Sequence, residues 1–450
     1  MPFAGACPEW ILSFWAAASL GAVAVALNGW WSGEELRYAL DDAKPKVLLG
    51  DGKRLSRLDP APELPIVKFG ADFEALSRAN PEAELPHAEL AEDDPAAMLY
   101  TSGTTGKPKG ALLSHRNLVA VLGLHSFHGA RALMSNPKML GATNPPCMLV
   151  TSPLFHVSGL CSGVLSSLNN GLTAVFPQGR FDPVKTARLI EQEKVTSWGP
   201  MGPVALRVAR SPEARKHDLS SVTNLGSGGA PIDDEHRSEL RRAFPNASAT
   251  MSYGYGQTEC SGLACINFGA ELVHAPYSVG RPLPTMAIEI RDDDGKVLPE
   301  GEQGHIHVRG PVVMLGYHNR PEDTAAVLDD QRWLNTGDFG KLKKGRLYIN
   351  ARARDLILRG AENVYPTELE LVLQQHEDVA EAAVVGVEHA ELGQEVKAIV
   401  VADEGRSIDT DKLRAFMQDQ VAAFKVPAHW EVREAALPRN AVGKVMKHLL

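Results

Sequence analysis

The sequence predicts an α/β protein with a large N-terminal α/β body and a small C-terminal α+β domain. Strand-like apolar runs alternate with helix-like stretches as far as about Asn350, which is typical of a largely parallel sheet covered by helices. Beyond that residue, two helix-like stretches and two β-rich runs form a unit of roughly one hundred residues, the size of a small domain. A chain of 450 residues with 44% hydrophobic and 22% charged residues can build two or three domains.

The first elements come from an uncharged run, 10–27, which is long enough to suggest a membrane span. The run contains two serines and a glycine, and the first basic residue is Arg37, so it lacks the basic start of a signal peptide. We therefore predict a buried helix from about Glu9, broken at Gly21, and then a strand over 22–27. No transmembrane span is expected.

The rest of the body continues the alternation. Short apolar runs predict strands over 46–50, 96–100, 147–151, 173–176, 222–225 and 249–251. Helices are predicted over 183–193 and 233–244. The stretch 60–95 is rich in proline, alanine and acidic residues and is predicted as loop with one short helix.

The C-terminal unit begins its first helix at a predicted capping box, formed by Thr367 and Glu370. Strands are predicted over 381–387 and 394–401. The last predicted helix has one apolar face, formed by Leu413, Phe416, Met417, Val421 and Phe424. We interpret the unit as a lid joined to the body by a short connection.

Charge and cysteine content exclude several functions. A net charge of -9 disfavours nucleic acid as a partner, because binding a polyanion needs a basic surface. The five cysteines, at positions 7, 147, 161, 260 and 265, form no CxxC pair, so neither a zinc knuckle nor a disulfide framework is indicated. Free thiols fit a reducing compartment, and a cytoplasmic protein is expected.

The sequence YTSGTTGKPKG, 100–110, is typical of phosphate binding. Its glycines let backbone N–H groups approach an anion, and its hydroxyls and lysines add donors and positive charge. It is not the nucleoside-triphosphatase P-loop, because only two residues separate Gly103 from Gly106 and Pro108 replaces the metal-binding hydroxyl. The loop follows the strand predicted over 96–100, a place where α/β folds bind phosphates.

Four further stretches carry candidate residues. In SYGYGQTE, 252–259, a tyrosine between glycines could stack on a base and the carboxylate could bind magnesium; a surface turn is the alternative. GSGGAP, 226–231, follows a predicted strand but lacks the dinucleotide GxGxxG spacing. Asp338 in NTGDFG could accept hydrogen bonds from ribose hydroxyls, or it could belong to an ordinary turn. Lys444 follows a glycine near the end of the chain, where a solvated basic tail is the alternative.

In this order and over nearly the whole chain, these motifs resemble the adenylate-forming (AMP-binding) superfamily of acyl-CoA synthetases, peptide-synthetase adenylation domains and luciferases. PLFHVSG, 153–159, further resembles the acyl-CoA synthetase branch. The resemblance implies a two-step reaction with ATP, Mg²⁺ and coenzyme A. A carboxylate attacks the α-phosphate of ATP to give acyl-AMP and pyrophosphate, and the thiol of coenzyme A then displaces AMP. The expected acid is a medium- or long-chain fatty acid, which would place the enzyme in lipid metabolism.

The resemblance also implies roles for particular residues. The β- and γ-phosphates would be held by Thr101, Ser102, Gly103, Thr104, Thr105, Gly106 and Lys107. The adenosine and α-phosphate would be held by Gly228, Gly229, Ala230, Tyr255, Gly256, Thr258, Asp338 and Arg352. Thr104 and Glu259 would bind magnesium. Lys444 would bridge the carboxylate and the α-phosphate, and His156 would lie at the acyl pocket, where a packed histidine is the alternative.

The resemblance divides the chain into an AMP-binding body, 1–352, and a mobile lid, 353–450, which reorients between the two steps about a hinge at Arg354. Members of this family usually carry several dozen residues before the segment that begins this chain, so a shortened N-terminus is expected. Apolar surface exposed there could support a homodimer.

Other functions remain open alternatives at this point. An aryl-acid CoA ligase and an amino-acid adenylating enzyme are possible, although no acidic partner for a substrate ammonium group is evident. A non-enzymatic AMP- or acyl-adenylate-binding protein is another alternative. Gly159 to Gly163 has the form of a hydrolase nucleophile elbow centred on Cys161.

Overall fold

The structure is a computed structural model. It describes residues 2–3, 7–84, 86–101, 108–136, 145–201, 204–228, 234–352, 355–359, 362–389, 392–440 and 443–450. Within these ranges the chain forms a large α/β body followed by a small C-terminal domain with its own sheet, which confirms the predicted fold class. The division at residue 352 stays a prediction.

The elements of the described chain are as follows. The strands are β1 (Pro2–Phe3), β2 (Ala24–Ala26), β3 (Leu48–Gly50), β4 (Ile66–Lys68), β5 (Pro95–Thr101), β6 (Lys109–Ser114), β7 (Cys147–Leu149), β8 (Thr173–Val175), β9 (Ser197–Trp198), β10 (Asn224–Gly228), β11 (Ser252–Tyr255), β12 (Cys265–Phe268), β13 (Arg281–Pro282), β14 (Ala287–Arg291), β15 (Gly304–Arg309), β16 (Gly316–Tyr317), β17 (Leu334–Lys343), β18 (Arg346–Arg352), β19 (Ile357–Arg359), β20 (Glu362–Val364), β21 (Val379–His389), β22 (Gly393–Ala402) and β23 (His429–Arg433). The helices are α1 (Pro8–Ser19), α2 (Gly33–Ala43), α3 (Gly52–Leu55), α4 (Ala71–Arg78), α5 (His115–Ser135), α6 (Ser166–Asn169), α7 (Pro183–Glu193), α8 (Val204–Arg210), α9 (Asp234–Ala243), α10 (Ala270–His274), α11 (Pro321–Ala325), α12 (Pro366–Leu373) and α13 (Thr410–Gln418).

The main sheet of the body has the strand order β13-β12-β11-β10-β9-β7-β8. Strands β8, β7, β9, β10 and β11 run parallel, and β12 and β13 complete the sheet in antiparallel pairs. Trp198 and Phe244 are buried in the apolar cluster that α7, α8 and α9 form with these strands. The carboxyl ends of β10 and β11 meet at one edge, which is where parallel sheets of this kind bind ligands.

Two further sheets of the body flank this edge. One has the order β16-β6-β5-β2 and the other the order β14-β15-β17-β18. β5 pairs antiparallel with β6, so the glycine-rich segment connects two strands of a hairpin. α5 begins only after β6, where Ser114 and Asn117 form a capping box. A phosphate bound by this segment would therefore not lie at a helix N-terminus, unlike the phosphate in a P-loop.

The N-terminal segment follows the prediction. Trp10 and Phe14 of α1 are buried with stacked rings, 6.1 Å apart between centroids, and β2 follows α1 into the sheet beside β5. In the described ranges, no helix has the length and apolar character needed to cross a membrane.

Several predicted bounds are corrected. Residues 249–251 form no strand, because Thr250 is buried and its hydroxyl donates to the carbonyl of Ala247 at 3.0 Å, which closes a turn ahead of β11. The strand predicted over 222–225 begins at Asn224 and runs on to Gly228. The stretch 60–95 contains the strand β4 as well as the predicted helix α4.

The small domain is built on the sheet β20-β19-β22-β21, with β23 parallel to β22. Leu369 and Leu373 of α12 and Leu413 and Met417 of α13 are buried in its core. α13 ends at Gln418, so the predicted helix is too long, although its last apolar residues still pack against this core.

The predicted capping box of the small domain is wrong. α12 begins at Pro366 after Tyr365, which makes no side-chain cap. Glu370 instead accepts a hydrogen bond from the backbone N–H of Val384 at 2.9 Å and pairs with Lys447 at 2.5 Å. Glu370 therefore forms a tertiary ion pair, and not the helix cap that the local sequence pattern predicted.

Two histidines of α5 are held in the neutral form. Burial lowers the pKa of both His125 and His128 from the ordinary value of 6.5 to about 4. The Nε2 atom of His125 and the Nδ1 atom of His128 have no hydrogen-bond partner among the described residues, and the ring of His128 packs edge-on against Phe268. Protonating either ring would place an uncompensated charge in this packing.

We expect the stability of the protein to fall as the pH drops from about 6.5 towards 4. In this pH range the two histidines are mostly protonated in the unfolded chain, whereas they stay mostly neutral in the folded chain. Between pH 7 and pH 5, each histidine should cost about 2 kcal/mol of unfolding free energy. Urea unfolding followed by tryptophan fluorescence measures this loss.

The double variant His125→Gln/His128→Gln should lose less stability between the two pH values than the unaltered protein. His87→Gln is the control, because its side chain is exposed. An equal loss in all three proteins would contradict the assignment of these histidines.

Candidate functional site

Glycines allow close main-chain contact at the carboxyl ends of β10 and β11. Gly228 lies opposite Gly254 in the parallel register, and a Cβ at Gly228 would be 2.9 Å from the carbonyl oxygen of Gly254. A Cβ at Gly256 would be 2.4 Å from the backbone of Gly262. Any side chain at Gly256 would push apart the strand end and the turn that follows it. The predicted residues Gly229 and Ala230 lie outside the described residues.

Tyr255 and Asp338 join two sheets across the site. The Tyr255 hydroxyl donates a hydrogen bond of 2.8 Å to Oδ2 of Asp338, and both side chains are buried. Burial and the nearby Asp338 charge keep the pKa of Tyr255 well above its ordinary value, so its hydroxyl remains a donor. Arg352 lies directly opposite Asp338 in the antiparallel register of β17 and β18. These three predicted residues are therefore neighbours in the fold.

The turn after β11 places Thr258 and Glu259 beside the glycine-lined edge. Residues Thr258–Cys260 form a single 3-10 turn, and Ser261 follows in the left-handed region with a φ of 52°. The Ser261 hydroxyl donates to the carbonyl of Val312 at 2.8 Å, and the Glu259 carbonyl accepts from the backbone N–H of Met314 at 2.9 Å. The main chain around the predicted metal ligand is therefore fixed by its neighbours.

The Glu259 carboxylate is bound by a residue that the motifs do not reveal. The hydroxyl of Tyr317, on β16, donates to Oε1 of Glu259 at 2.8 Å. The ammonium group of Lys109 lies 5.4 Å from the centre of the Tyr317 ring and pairs with Asp323 at 2.5 Å. A tyrosine in an ordinary strand gives no sequence signal for this contact, which joins residues 58 apart in the chain.

Side chains and strand pairing fix the two ends of the glycine-rich segment, at the end of β5 and the start of β6. Thr101 lies opposite Lys109 at the end of β5. The Tyr38 hydroxyl donates to the carbonyl of Pro108 at 3.0 Å, and Arg320 lies 3.0 Å from the buried carboxylate of Asp42. The predicted residues between these anchors, Ser102, Gly103, Thr104, Thr105, Gly106 and Lys107, lie outside the described residues.

Glu259 is the predicted metal ligand at this edge. Within the described ranges, no group of three or more histidine, cysteine or acidic side chains is arranged to hold an ion. Mg²⁺ usually keeps several waters and takes one or two carboxylates together with substrate phosphates. One carboxylate beside the predicted phosphate-binding segment is compatible with a metal that arrives with a nucleotide.

His156 lies at the start of a π-helix, Ser158–Leu165. Its Nδ1 atom accepts a hydrogen bond from the backbone N–H of Ser158 at 3.2 Å and lies 2.8 Å from the Ser158 hydroxyl. Nδ1 therefore carries no proton in this arrangement, and the proton of the neutral ring is on Nε2. Burial lowers the pKa of His156 to about 4, so the ring is neutral at physiological pH.

The hydrolase interpretation is wrong. Cys161 lies inside the same π-helix, is fully buried, and has its pKa raised to about 12 by that burial. A nucleophile elbow needs an exposed thiol on a sharp strand-to-helix turn. An inaccessible, protonated thiol cannot serve as a nucleophile.

Lys444 lies in the small domain, next to residues that contact the sheet of that domain. The backbone N–H of Lys444 donates to Oδ1 of Asn440 at 2.9 Å, and Arg439 and Val445 form a bridge across the turn. Arg439 pairs with Glu381 of β21 at 2.6 Å. The C-terminal segment is thus docked, and the interpretation as a solvated tail is wrong.

The small domain also contacts the body next to Asp338. The ring of Phe339 stacks on that of Tyr365, with centroids 5.7 Å apart and planes 19° from parallel. Phe339 follows Asp338 in β17, and Tyr365 precedes α12. The acidic residue that the motifs single out therefore lies at the contact between body and small domain.

The chain is similar to nucleotide-binding enzymes over most of its length. The profile described as AMP-binding enzyme matches residues 3–318, and that described as AMP-binding enzyme C-terminal domain matches residues 368–444. The chain is 32% identical to a long-chain-fatty-acid–CoA ligase of Bacillus subtilis, over 99% of this chain and 83% of that protein. It is 34% identical to an indoleacetate–CoA ligase of Aromatoleum aromaticum, over 98% of this chain and 85% of that protein. The crystal structure of ATP-bound MatB from Rhodopseudomonas palustris matches with a TM-score of 0.86 and 30% identity, over 100% of this chain and 87% of that one.

We expect Tyr255→Phe to destabilise the protein by roughly 1–3 kcal/mol, because the buried Asp338 carboxylate loses a hydrogen-bond donor. Tyr348→Phe is the matched control, since it removes the same hydroxyl from a half-buried tyrosine on β18, the strand that pairs with the Asp338 strand β17. Urea unfolding of both variants measures the difference. Equal stabilities would show that the Tyr255–Asp338 contact does not hold the two sheets together.

Proposed function

Because the chain belongs to the AMP-binding enzyme family, we propose that it is an AMP-forming acid–CoA ligase. It activates a carboxylic acid with ATP to acyl-AMP and pyrophosphate, and then transfers the acyl group to coenzyme A. The proposal is carried by one observation: the glycine-lined ends of β10 and β11, the Tyr255–Asp338 pair and Glu259 converge beside the Thr101–Lys109 hairpin.

The nucleotide would be held by residues from three sheets. The adenine would lie against Tyr255 and the backbone at Gly228, Gly229, Ala230 and Gly256. Asp338 and Arg352 would bind the ribose, and Thr258 would contact the α-phosphate. The β- and γ-phosphates would lie against Thr101, Ser102, Gly103, Thr104, Thr105, Gly106 and Lys107.

Charge is the main obstacle to the first step, because a carboxylate must approach a polyanion. Mg²⁺, held by Glu259 and Thr104, would supply positive charge between the phosphate oxygens. Lys444 would place an ammonium group between the attacking carboxylate and the α-phosphate. A cation placed where the two anions meet lowers the barrier more than one that binds either reactant alone.

The second step requires the small domain to move, since Lys444 must leave before coenzyme A can approach. We place the boundary of the moving domain after residue 352 and its hinge at Arg354, which lies outside the described residues. Rotation about such a hinge lets one body serve two half-reactions.

The acid is proposed to have an uncharged, apolar remainder. His156 is neutral. The next residue, Val157, is apolar and lies close to Gly262, since a Cβ added to Gly262 would be 3.0 Å from the Val157 side chain. A medium- or long-chain fatty acid, activated for lipid metabolism, is our first candidate. An aryl acid is the second, since a relative at 34% identity is named an indoleacetate–CoA ligase. A cytoplasmic location and a homodimer stay predictions.

We expect the protein to catalyse the acid-dependent exchange of labelled pyrophosphate into ATP. A panel of fatty, indole and cinnamic acids would identify the preferred acid from its exchange rate. Lys444→Ala should lower the rate by roughly 100-fold or more, because it removes a charge from the transition state. Lys412→Ala, on the exposed side of α13, is the matched control. No exchange with any acid, or exchange unaffected by Lys444→Ala, would contradict the proposal.

We expect Arg354→Pro to block thioester formation and to spare adenylation, because proline fixes φ at the hinge. Arg354→Ala is its control, since it removes the side chain and leaves the backbone free to rotate. Pyrophosphate exchange and acyl-CoA formation are measured in parallel for both variants. An equal loss of both half-reactions in Arg354→Pro would show that the hinge lies elsewhere.

A further inference from the structure

The carboxylate of Glu259 is held from outside the motif that contains it. Tyr317 donates to its Oε1 atom at 2.8 Å, and Met314, three residues before Tyr317, donates its backbone N–H to the Glu259 carbonyl at 2.9 Å. One short segment of chain therefore fixes both the main chain and the side chain of Glu259. A tyrosine hydroxyl can fill one acceptor site of a carboxylate without neutralising its charge.

Tyr317 is itself fixed on several sides. Tyr317 lies opposite Ala111 in the β16–β6 pair, and its backbone N–H donates to the Thr324 hydroxyl at 2.9 Å. The Lys109 ammonium lies 5.4 Å from the centre of its ring. Asp323 holds that ammonium at 2.5 Å, and the Lys109 side chain is 14% exposed. The backbone of Tyr317 is therefore fixed by the strand pair, and its ring lies beside the ammonium of a partly buried ion pair.

We propose that Tyr317 is a positioning residue that orients the Glu259 carboxylate towards the metal of a bound metal–ATP complex, an inference that rests on the proposed function. Lys109 and Asp323 keep the Tyr317 ring in place. Because Lys109 is also the first residue of β6, the arrangement links the end of the phosphate-binding hairpin to the metal ligand. The orientation of Glu259 is thus set before the nucleotide arrives.

The geometry favours positioning over a purely structural role. Removing the hydroxyl leaves the ring, its contact with Lys109 and the backbone bond to Thr324 unchanged. What is lost is the hydrogen bond that Tyr317 donates to Oε1 of the carboxylate. Hydrogen bonds to metal ligands of this kind typically change metal affinity by about 10- to 100-fold.

The test is Tyr317→Phe in the full chain, with ATP affinity measured by calorimetry with and without Mg²⁺. We expect the gain in affinity due to Mg²⁺ to fall by roughly tenfold, with the metal-free affinity changed less than about twofold. In the Glu259→Ala background the same substitution should have no further effect, since the side chain that Tyr317 orients is absent. Electron paramagnetic resonance of Mn²⁺ bound with ATP gives a second readout that does not depend on turnover.

Asp323→Asn is the second variant, because it weakens the ion pair that holds Lys109 at the ring and its side chain is 34% exposed. It should reduce the metal-dependent gain in the same direction and by less. Equal loss of ATP affinity with and without Mg²⁺ in Tyr317→Phe, or an unchanged metal dependence in that variant, would overturn the inference. Failure of the unaltered protein to bind ATP would instead contradict the proposed function as a whole.

Discussion

The hydrogen bond between Tyr255 and Asp338 is the contact on which the geometry of the site depends. It joins the end of a parallel strand in the main sheet to an antiparallel strand in a second sheet, at 2.8 Å and away from solvent. Removing a donor from a buried carboxylate is unfavourable, so this contact favours one separation of the two sheets. That separation sets the width of the space between the strand ends and β17, where a nucleoside would lie.

A second tyrosine–carboxylate hydrogen bond lies at the predicted metal ligand, Glu259. Asp338 and Glu259 each accept a hydrogen bond from a tyrosine that comes from a different strand. Tyrosine orients a carboxylate and leaves its charge in place, whereas a lysine or arginine would cancel it. The positive charge that two anionic reactants need is assigned by our proposal to the metal, to the glycine-rich segment and to Lys444.

The predicted phosphate-binding segment does not lead directly into a helix. In a P-loop the anion lies at a helix N-terminus, and the helix dipole contributes to binding. Here the segment connects β5 to β6, and α5 starts only after β6. The hairpin is fixed instead by side chains of distant elements, through Tyr38 at Pro108 and Asp323 at Lys109. Such anchoring keeps both described ends of the segment in place.

The sequence by itself determined the fold class and several helices and strands of the body, and it singled out the motif residues that we propose for the site. The helix α7 has the predicted bounds, because its apolar spacing and its Asp182 cap are both local. The predictions failed where a distant partner decided the outcome. Glu370 has the spacing of a cap but pairs with Lys447, and Cys161 has the spacing of a nucleophile but is buried. Tyr317 reaches Glu259 only because β16 pairs with β6. Periodicity and spacing report forces between near neighbours in the chain, whereas the orientation of a buried carboxylate is set by atoms that only the tertiary structure brings within hydrogen-bonding distance.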